Sequence, residues 1–307
     1  MSILRHIATL VVALVSGLLH GQHTPLTSHY LFNGLVINPA FAGSRDALTA
    51  NFTYRHQWTG FDGAPVTQMV SVHSPMARKK LGLGILVYND RIGVTQETGL
   101  FSNHAYRIRF RNGKLAFGVG AGITLLRSEW TSLAIQQTGD QAFAADTRSA
   151  VRPNISAGAY YHSKTWFVGI SAPFVIHHRY KANSEGWRFS DSKPDLQPMI
   201  TGGYVFTLNN DLKLKPSSLV RYRASSGLQA DLSTNLIVKD RFWIGASYRT
   251  GDAFIASLDV LPNAQWRIGY AYDLGLSRLA SHHLGSHEVM LQYEFGYRVR
   301  ARDPRYF

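Results

Sequence analysis

From residue 46 onward, apolar and small or polar positions alternate in short segments along most of the chain. In Leu115–Leu125, the residues Leu115, Phe117, Val119, Ala121, Ile123 and Leu125 fall on one side. Ala116, Gly118, Gly120, Gly122 and Thr124 fall on the other. Phe242, Ile244, Ala246 and Tyr248 alternate in the same way with Trp243, Gly245, Ser247 and Arg249. Near the C-terminus, Trp266, Ile268, Tyr270 and Tyr272 oppose Gln265, Arg267, Gly269, Ala271 and Asp273. Over residues 288–299, Val289, Leu291, Tyr293, Phe295, Tyr297 and Val299 oppose Glu288, Met290, Gln292, Glu294, Gly296 and Arg298. A period of two is that of a strand, whose successive side chains point to opposite faces. Several segments reach about 10 residues, the length a tilted strand needs to cross a bilayer, whereas soluble sheets use strands of about 5–6.

Connection lengths sharpen this picture. About 14 strands can be placed, an even number as bacterial barrels require. Short turns are predicted at Met76–Lys80, Arg111–Lys114, His162–Thr165, Leu208–Asp211, Val238–Arg241 and Leu261–Ala264. Longer connections fall between them at Gly60–Ala64, Asp90–Gln96, Arg127–Val151, Pro173–Asp195, Ala224–Gly227 and Gly275–Ser286, with Thr250–Asp252 a short exception. Short and long connections in alternation mark an up-and-down barrel with tight periplasmic turns and longer outer loops. The expected fold is all-β: a closed up-and-down antiparallel transmembrane β-barrel over residues 47–307, with both termini in the periplasm. A soluble β-sandwich adhesin also alternates, but would turn its apolar side to a core and its polar side to water.

The first 46 residues do not alternate. Arg5 and His6 precede an apolar run from Ile7 to Leu19, with small residues at Ser16, Gly17 and Gly21. That run is too short to span a bilayer comfortably, so residues 1–21 read as a cleaved secretory signal. Residues 22–46 are apolar enough to need burial but are broken by Pro39 and Gly43. They are expected to form a plug-like segment in the barrel lumen, beside the small residues of the strands.

Composition narrows the function classes. Among 307 residues there is no Cys, so no disulfide, thiol metal site or lipidation site is available. Aromatics make up 12 % and charged residues 17 %, with 27 Gly, which suits many strands and tight turns. The mean hydropathy of −0.11 fits strands that average a lipid face with a lumen face. The net charge of +13 is dispersed, with no basic helix or RNP-like strand, so nucleic acid is not an expected partner. Basic side chains at the barrel rims would meet outer-membrane lipid headgroups.

Candidate chemistry is sparse. His287–Glu288 lacks the second His of a zinc helix, since position 291 is Leu. The pairs His177–His178 and His282–His283 have no further ligands in view. The spacing of Gly118, Gly120 and Gly122 puts them on one face of a strand rather than in a phosphate-binding turn. No metal or cofactor is expected, and the chain does not read as an enzyme.

Residue identity goes further than pattern. Asn38-Pro39-Ala40-Phe41-Ala42-Gly43 is followed by Tyr54–Pro65, which contains Trp58, Gly60, Phe61, Gly63 and Pro65, and then by Gln68. Matches continue through Arg91–Val94, Ser102–Tyr106, Val168–Pro173, Pro216–Val220, Phe242–Arg249, Arg267–Asp273, Gly285–Leu291 and Pro304–Phe307. In this order they resemble the PorP/SprF family of type IX secretion membrane proteins across about the whole mature chain. The resemblance implies an outer-membrane barrel of Bacteroidetes-type bacteria; some members assist export or surface attachment of an adhesin, often in gliding, and others belong to the core secretion apparatus. It implies no catalytic residues. Asn38, Pro39, Ala40 and Gly43 are expected in the plug, and the glycines and proline of the later stretch suit a turn. Aromatic and Arg side chains anchor interfaces, so Trp130, Phe143, Trp187, Arg188 and Phe189 are candidates for holding a secreted adhesin. Arg298, Arg300, Arg302 and Arg305 are candidates for headgroups or periplasmic secretion components. The competing reading is a FadL-like transporter of hydrophobic small molecules, whose N-terminal hatch also carries an Asn-Pro-Ala element.

Overall fold

A strand in hydrocarbon has no water for its amides, so every strand must find two neighbours. The computed structural model describes residues 27–76, 80–133, 146–183, 186–194, 196–224 and 227–296. In chain order the strands are β1 (Leu48–His56), β2 (Val66–Met76), β3 (Leu81–Ile92), β4 (Thr95–Phe110), β5 (Gly113–Ser128) and β6 (Thr147–Ser163). Next come β7 (Trp166–Ala172), β8 (Ile176–Asn183), β9 (Gly186–Pro194), β10 (Met199–Tyr204), β11 (Phe206–Thr207) and β12 (Leu212–Arg223). The last are β13 (Gly227–Val238), β14 (Phe242–Arg249), β15 (Ala253–Val260), β16 (Trp266–Gly275) and β17 (Ser286–Phe295). β10 and β11 form one crossing interrupted at Val205. The result is a closed antiparallel barrel of 14 strands, each paired to its sequence neighbours. β17 returns to β1, from Leu48↔Phe295 to His56↔His287, and closes the ring.

The alternation of the sequence becomes an inside and an outside. On β1, Thr49, Asn51, Thr53 and Arg55 are buried, while Phe52 and Tyr54 are exposed. On β17, Glu288, Met290 and Gln292 are buried between exposed Val289, Leu291 and Phe295. The outer face thus carries Val70, Ile85, Leu100, Phe117, Val168, Ile244, Leu258 and Ile268, all exposed. Apolar residues outside and charged residues inside are the reverse of a soluble sandwich and suit a lipid exterior. Exposed aromatics gather where the short turns lie: Phe110, Trp166, Phe206, Phe242, Trp266 and Phe295 all stand at strand ends there. This is a girdle at the membrane interface.

The six short turns fall where the alternation places them. The β13–β14 turn holds Lys239 and Asp240 at φ 50 and 54, the left-handed pair of a tight hairpin. Three expected loops differ. Asp90–Gln96 is a two-residue turn, Gly93–Val94, because its polar residues pair across the strands: Asn89 Oδ1 accepts from Gln96 Nε2 at 2.7 Å and from Thr98 Oγ1 at 3.0 Å. In Arg127–Val151, β5 continues to Ser128 and β6 starts at Thr147. Pro173–Asp195 contains the hairpin β8–β9, a separate two-stranded sheet outside the barrel. The long-loop rim is also uneven: β4 and β6 have 16 and 17 residues, β14 and β15 have 8 each.

Residues 27–46 run inside the barrel as irregular chain with two 3₁₀ turns, Gly34–Val36 and Pro39–Phe41. Asn38 caps the second turn by accepting from the Ala40 N–H at 2.9 Å and donates Nδ2 to the Ala159 carbonyl at 3.0 Å. Phe41 meets His73 and Tyr160 edge-on, and Leu35, Ala40, Phe41 and Ala42 share one apolar cluster with Met69, Leu86, Phe101 and Tyr160. Gly118 is the small residue this approach needs, since a Cβ there would fall on the backbone of Ala40. The signal-like residues 1–21, and 22–26 of the plug-like segment, lie outside the described residues. Deletion of Leu31–Gly43 is expected to raise ion conductance in planar bilayers severalfold. Unchanged conductance would show that this chain does not obstruct the lumen.

Candidate functional site

The lumen wall carries a row of buried charges. Glu288 on β17, fully buried, accepts from the backbone N–H groups of Ser28 and His29, both at 2.8 Å. His29 Nδ1 lies 2.7 Å from the same carboxylate. Ser28 Oγ donates to Asp273 at 2.8 Å. Arg55 spans both acids, donating to Glu288 at 3.2 Å and to Asp273 at 2.7 Å, and reaches Ser28 Oγ at 3.0 Å. Arg249 continues the chain of pairs, 3.6 Å from Asp273 and 3.1 Å from Asp231, which also takes Arg221 at 3.2 Å. Burial disfavours charge on His29, but the hydrogen bond and charge of Glu288, with Asp259 and Asp273 adding, leave its pKa raised.

Below this latch, Phe32 is held by stacking. It meets Trp243 edge-on at 5.3 Å, and the Arg267 guanidinium lies 4.1 Å from the Phe32 ring centroid and 4.4 Å from that of Trp243. At the other end of the segment Arg45 pairs with Glu294 at 2.8 Å and Asp46 with Lys114 at 3.1 Å. Glu294 and Lys114 are at the short-turn ends of β17 and β5, whereas Arg55, Asp273 and Arg249 lie near the long-loop ends of their strands. The segment therefore passes through the lumen from one end toward the other. An even number of crossings does put Leu48 and Phe295 at the same end. The chain ahead of Leu48 doubles back through the barrel, so Ser28 stands toward the opposite end.

The residues singled out in the sequence divide into separate places. Asn38, Pro39, Ala40 and Gly43 are buried in the lumen. Trp58, Gly60, Phe61, Gly63 and Pro65 build the β1–β2 loop at the long-loop end. That loop is tied to its neighbours by Thr59 N–H to Gly285 O and Gly93 N–H to Gly63 O, each at 2.8 Å. Trp58 adopts φ 50, and Gln68 is exposed on the outer face of β2. Trp130 lies on a 3₁₀ turn, Trp130–Ser132, at the same end. Trp187, Arg188 and Phe189 are on β9. Phe143, Arg298, Arg300, Arg302 and Arg305 lie outside the described residues.

The latch is not legible in the sequence. Alternation puts Glu288, Asp273 and Arg249 on the non-lipid sides of their strands, but their partner Ser28 is 260 positions from Glu288.

Losing one member of a buried ion pair costs about 3–5 kcal/mol. Glu288→Gln is therefore expected to speed amide exchange in residues 28–36 by at least tenfold, read by mass spectrometry and corrected for intrinsic rates. The raised His29 pKa adds a sign. Protonated His29 holds the segment fully below its ordinary pKa near 6.5, and the hold weakens as pH rises through the raised value. Wild-type exchange should accelerate across that upper range and the Gln variant should not. Identical profiles would remove His29 and Glu288 from the hold.

Two solved structures share the fold. The Ralstonia pickettii toluene transporter TbuX is 10 % identical, with 90 % of this chain and 96 % of that one covered, at a TM-score of 0.52. The CymD monoaromatic hydrocarbon channel is 10 % identical, with 87 % and 94 % covered, at 0.51. At these identities the likeness is one of architecture. No curated protein matches the sequence. The family model described as type IX secretion system membrane protein PorP/SprF matches residues 19–293. With nearly all of its length covered by that match, this chain belongs to the PorP/SprF family of type IX secretion system membrane proteins.

Proposed function

We propose that this protein works in the outer membrane as a docking barrel of the type IX secretion system. It assists secretion or surface attachment of an adhesin at its long-loop end and meets periplasmic secretion components at its short-turn end. It carries out no catalysis. The observation that supports this reading is a lumen filled by the chain's own residues 27–46, pinned by buried ion pairs on Arg55, Asp273 and Glu288. A barrel filled in this way offers its rims rather than its bore. Loops on a rigid scaffold are the usual carriers of binding, and the long loops are all at one end.

The family membership and the direction of the short turns support placing the short-turn end, with Phe295 and the C-terminus, in the periplasm. The FadL-like alternative draws on the shared fold of TbuX and CymD. Against it, the wall beside Ser28 and His29 is ionic, and the gap between Tyr30, Leu31, Phe41, Tyr160 and Phe167 measures about 20 Å³, enough for a single water.

Surface proteomics of a deletion strain tests the role. Loss of one or a few adhesins with other type IX cargo intact is expected. An unchanged surface, with defective uptake of a hydrophobic nutrient, would favour the transporter instead. Orientation has its own check. A Cys at exposed Ser132 should react with an impermeant maleimide in intact cells, and a Cys at exposed Asn209 should not. The reverse labelling would invert the barrel.

A further inference from the structure

The short-turn end of the barrel is rich in cations. Among the described residues of the six short connections are Lys80, Arg111, Lys164, Lys239 and Arg241, against Asp211 and Asp240. The described residues of the long connections are balanced, with Asp62, Glu129, Asp146, Asp191 and Asp252 against Arg179, Lys181, Arg188, Lys193 and Arg278. On the short-turn side one place is shaped as well as charged. The β4–β5 and β6–β7 turns stand next to each other, because Gly113 pairs with Ser163, and a cleft of about 630 Å³ opens between them.

The register brings three nitrogen groups into line across it. Arg109 on β4 is opposite Lys114 on β5, and Lys114 is opposite His162 on β6. These positions share the face of Arg107, Ala116 and Tyr160, which are buried toward the lumen. Their neighbours on the lipid side are aromatic: Phe110 and Trp166 are exposed there, and Tyr161 lies against Trp166 with ring centroids 4.7 Å apart. Headgroups therefore meet the aromatic side, and the basic row borders the aqueous mouth. Arg109 is exposed, Arg111 and Lys164 extend the row into the turns, and none of these three has a carboxylate partner among the described residues. The row already accepts one carboxylate from an irregular segment, since Asp46 pairs with Lys114 at 3.1 Å.

We infer that this cleft is a docking site for an acidic peptide segment of a partner protein, with carboxylates on Arg109, Arg111 and Lys164. The inference rests on the docking reading above and gives its short-turn end a partner chemistry. Adjacent strands lie about 4.8 Å apart. That spacing lets acidic side chains of one extended segment meet cations on neighbouring strands.

The test uses the full barrel in phosphatidylcholine nanodiscs and a fluorescein-labelled octaglutamate peptide, read by anisotropy at low salt. The triple variant Arg109→Glu, Arg111→Glu, Lys164→Glu should bind at least tenfold more weakly than wild type. The variant Lys239→Glu, Arg241→Glu, on another part of the same rim, should change binding less than twofold. Slower gel migration on heating confirms that each variant is folded. Equal losses in both variants would reduce the effect to a diffuse field and overturn the cleft, as would absence of binding to wild type. If about 30 % phosphatidylglycerol in the nanodisc abolishes peptide binding, the cleft is a headgroup site and the inference fails. These outcomes are read without secretion, so they are separate from the surface proteome that tests the docking role.

Discussion

Backbone pairing in hydrocarbon is the constraint from which this structure follows. A sheet with an open edge would leave a row of amides and carbonyls in lipid, each costing several kcal/mol. Closure of β17 onto β1 removes that edge. It also fixes two surfaces of opposite chemistry, because side chains alternate across the sheet. The outer surface receives Phe52, Val70, Ile244 and Leu291, and the inner one receives Asn51, Arg55, Arg249 and Glu288. What remains is an interior lined with polar and charged groups. Water or protein must satisfy it.

Here the described lumen is lined against the chain's own residues 27–46, and the pairing is ionic at both ends of the segment. Buried ion pairs add little net stability, since desolvation offsets attraction, but separating them is costly. The consequence is position rather than strength. Ser28 and His29 can dock against Glu288 and Asp273 in one register, because Glu288 takes two successive backbone N–H groups and Arg55 fills the remaining lone pairs. Between the ionic ends, apolar contacts such as Phe41 on Tyr160 and Phe32 under Arg267 fill the space.

Much of the barrel was legible in the sequence for the same reason that it closes. Period-two alternation over Leu115–Leu125 and residues 288–299 named both faces of β5 and β17, and the punctuation of short turns separated one crossing from the next. The Gly118, Gly120, Gly122 face was legible as lumen packing, and Gly118 does lie against Ala40. What the sequence hid was of two kinds. Local polarity misled at Asp90–Gln96, where Asn89, Gln96 and Thr98 serve each other across a hairpin. In Pro173–Asp195, the hairpin β8–β9 reads as loop in the sequence. Long-range pairing was invisible, since a strand pattern says that Glu288 faces inward but nothing says that Ser28 and Arg55 await it there. The loop signature Trp58–Pro65 and the lumen signature Asn38–Gly43 occur close together in the chain and lie in different parts of the molecule.

A barrel that fills itself is free to use its ends differently, and its sequence treats them differently. Transport needs a bore whose lining suits the cargo along its whole length. Docking needs rigid rims with distinct chemistry, one for each compartment. The short-turn rim has a girdle of Phe110, Trp166, Phe242 and Trp266 toward lipid and cations toward water. The opposite rim has loops knitted to one another, Trp58–Pro65 to Gly285 and to Gly93. The segment between runs most of the way from one rim to the other and is tied by charge at each. A change at the long-loop rim that pulled on Glu288 or Asp273 would be felt at Ser28. Its other end reaches Asp46, the residue seated on Lys114 in the basic row. The same covalent chain thus touches both rims, which gives them a physical connection that a water-filled pore would lack.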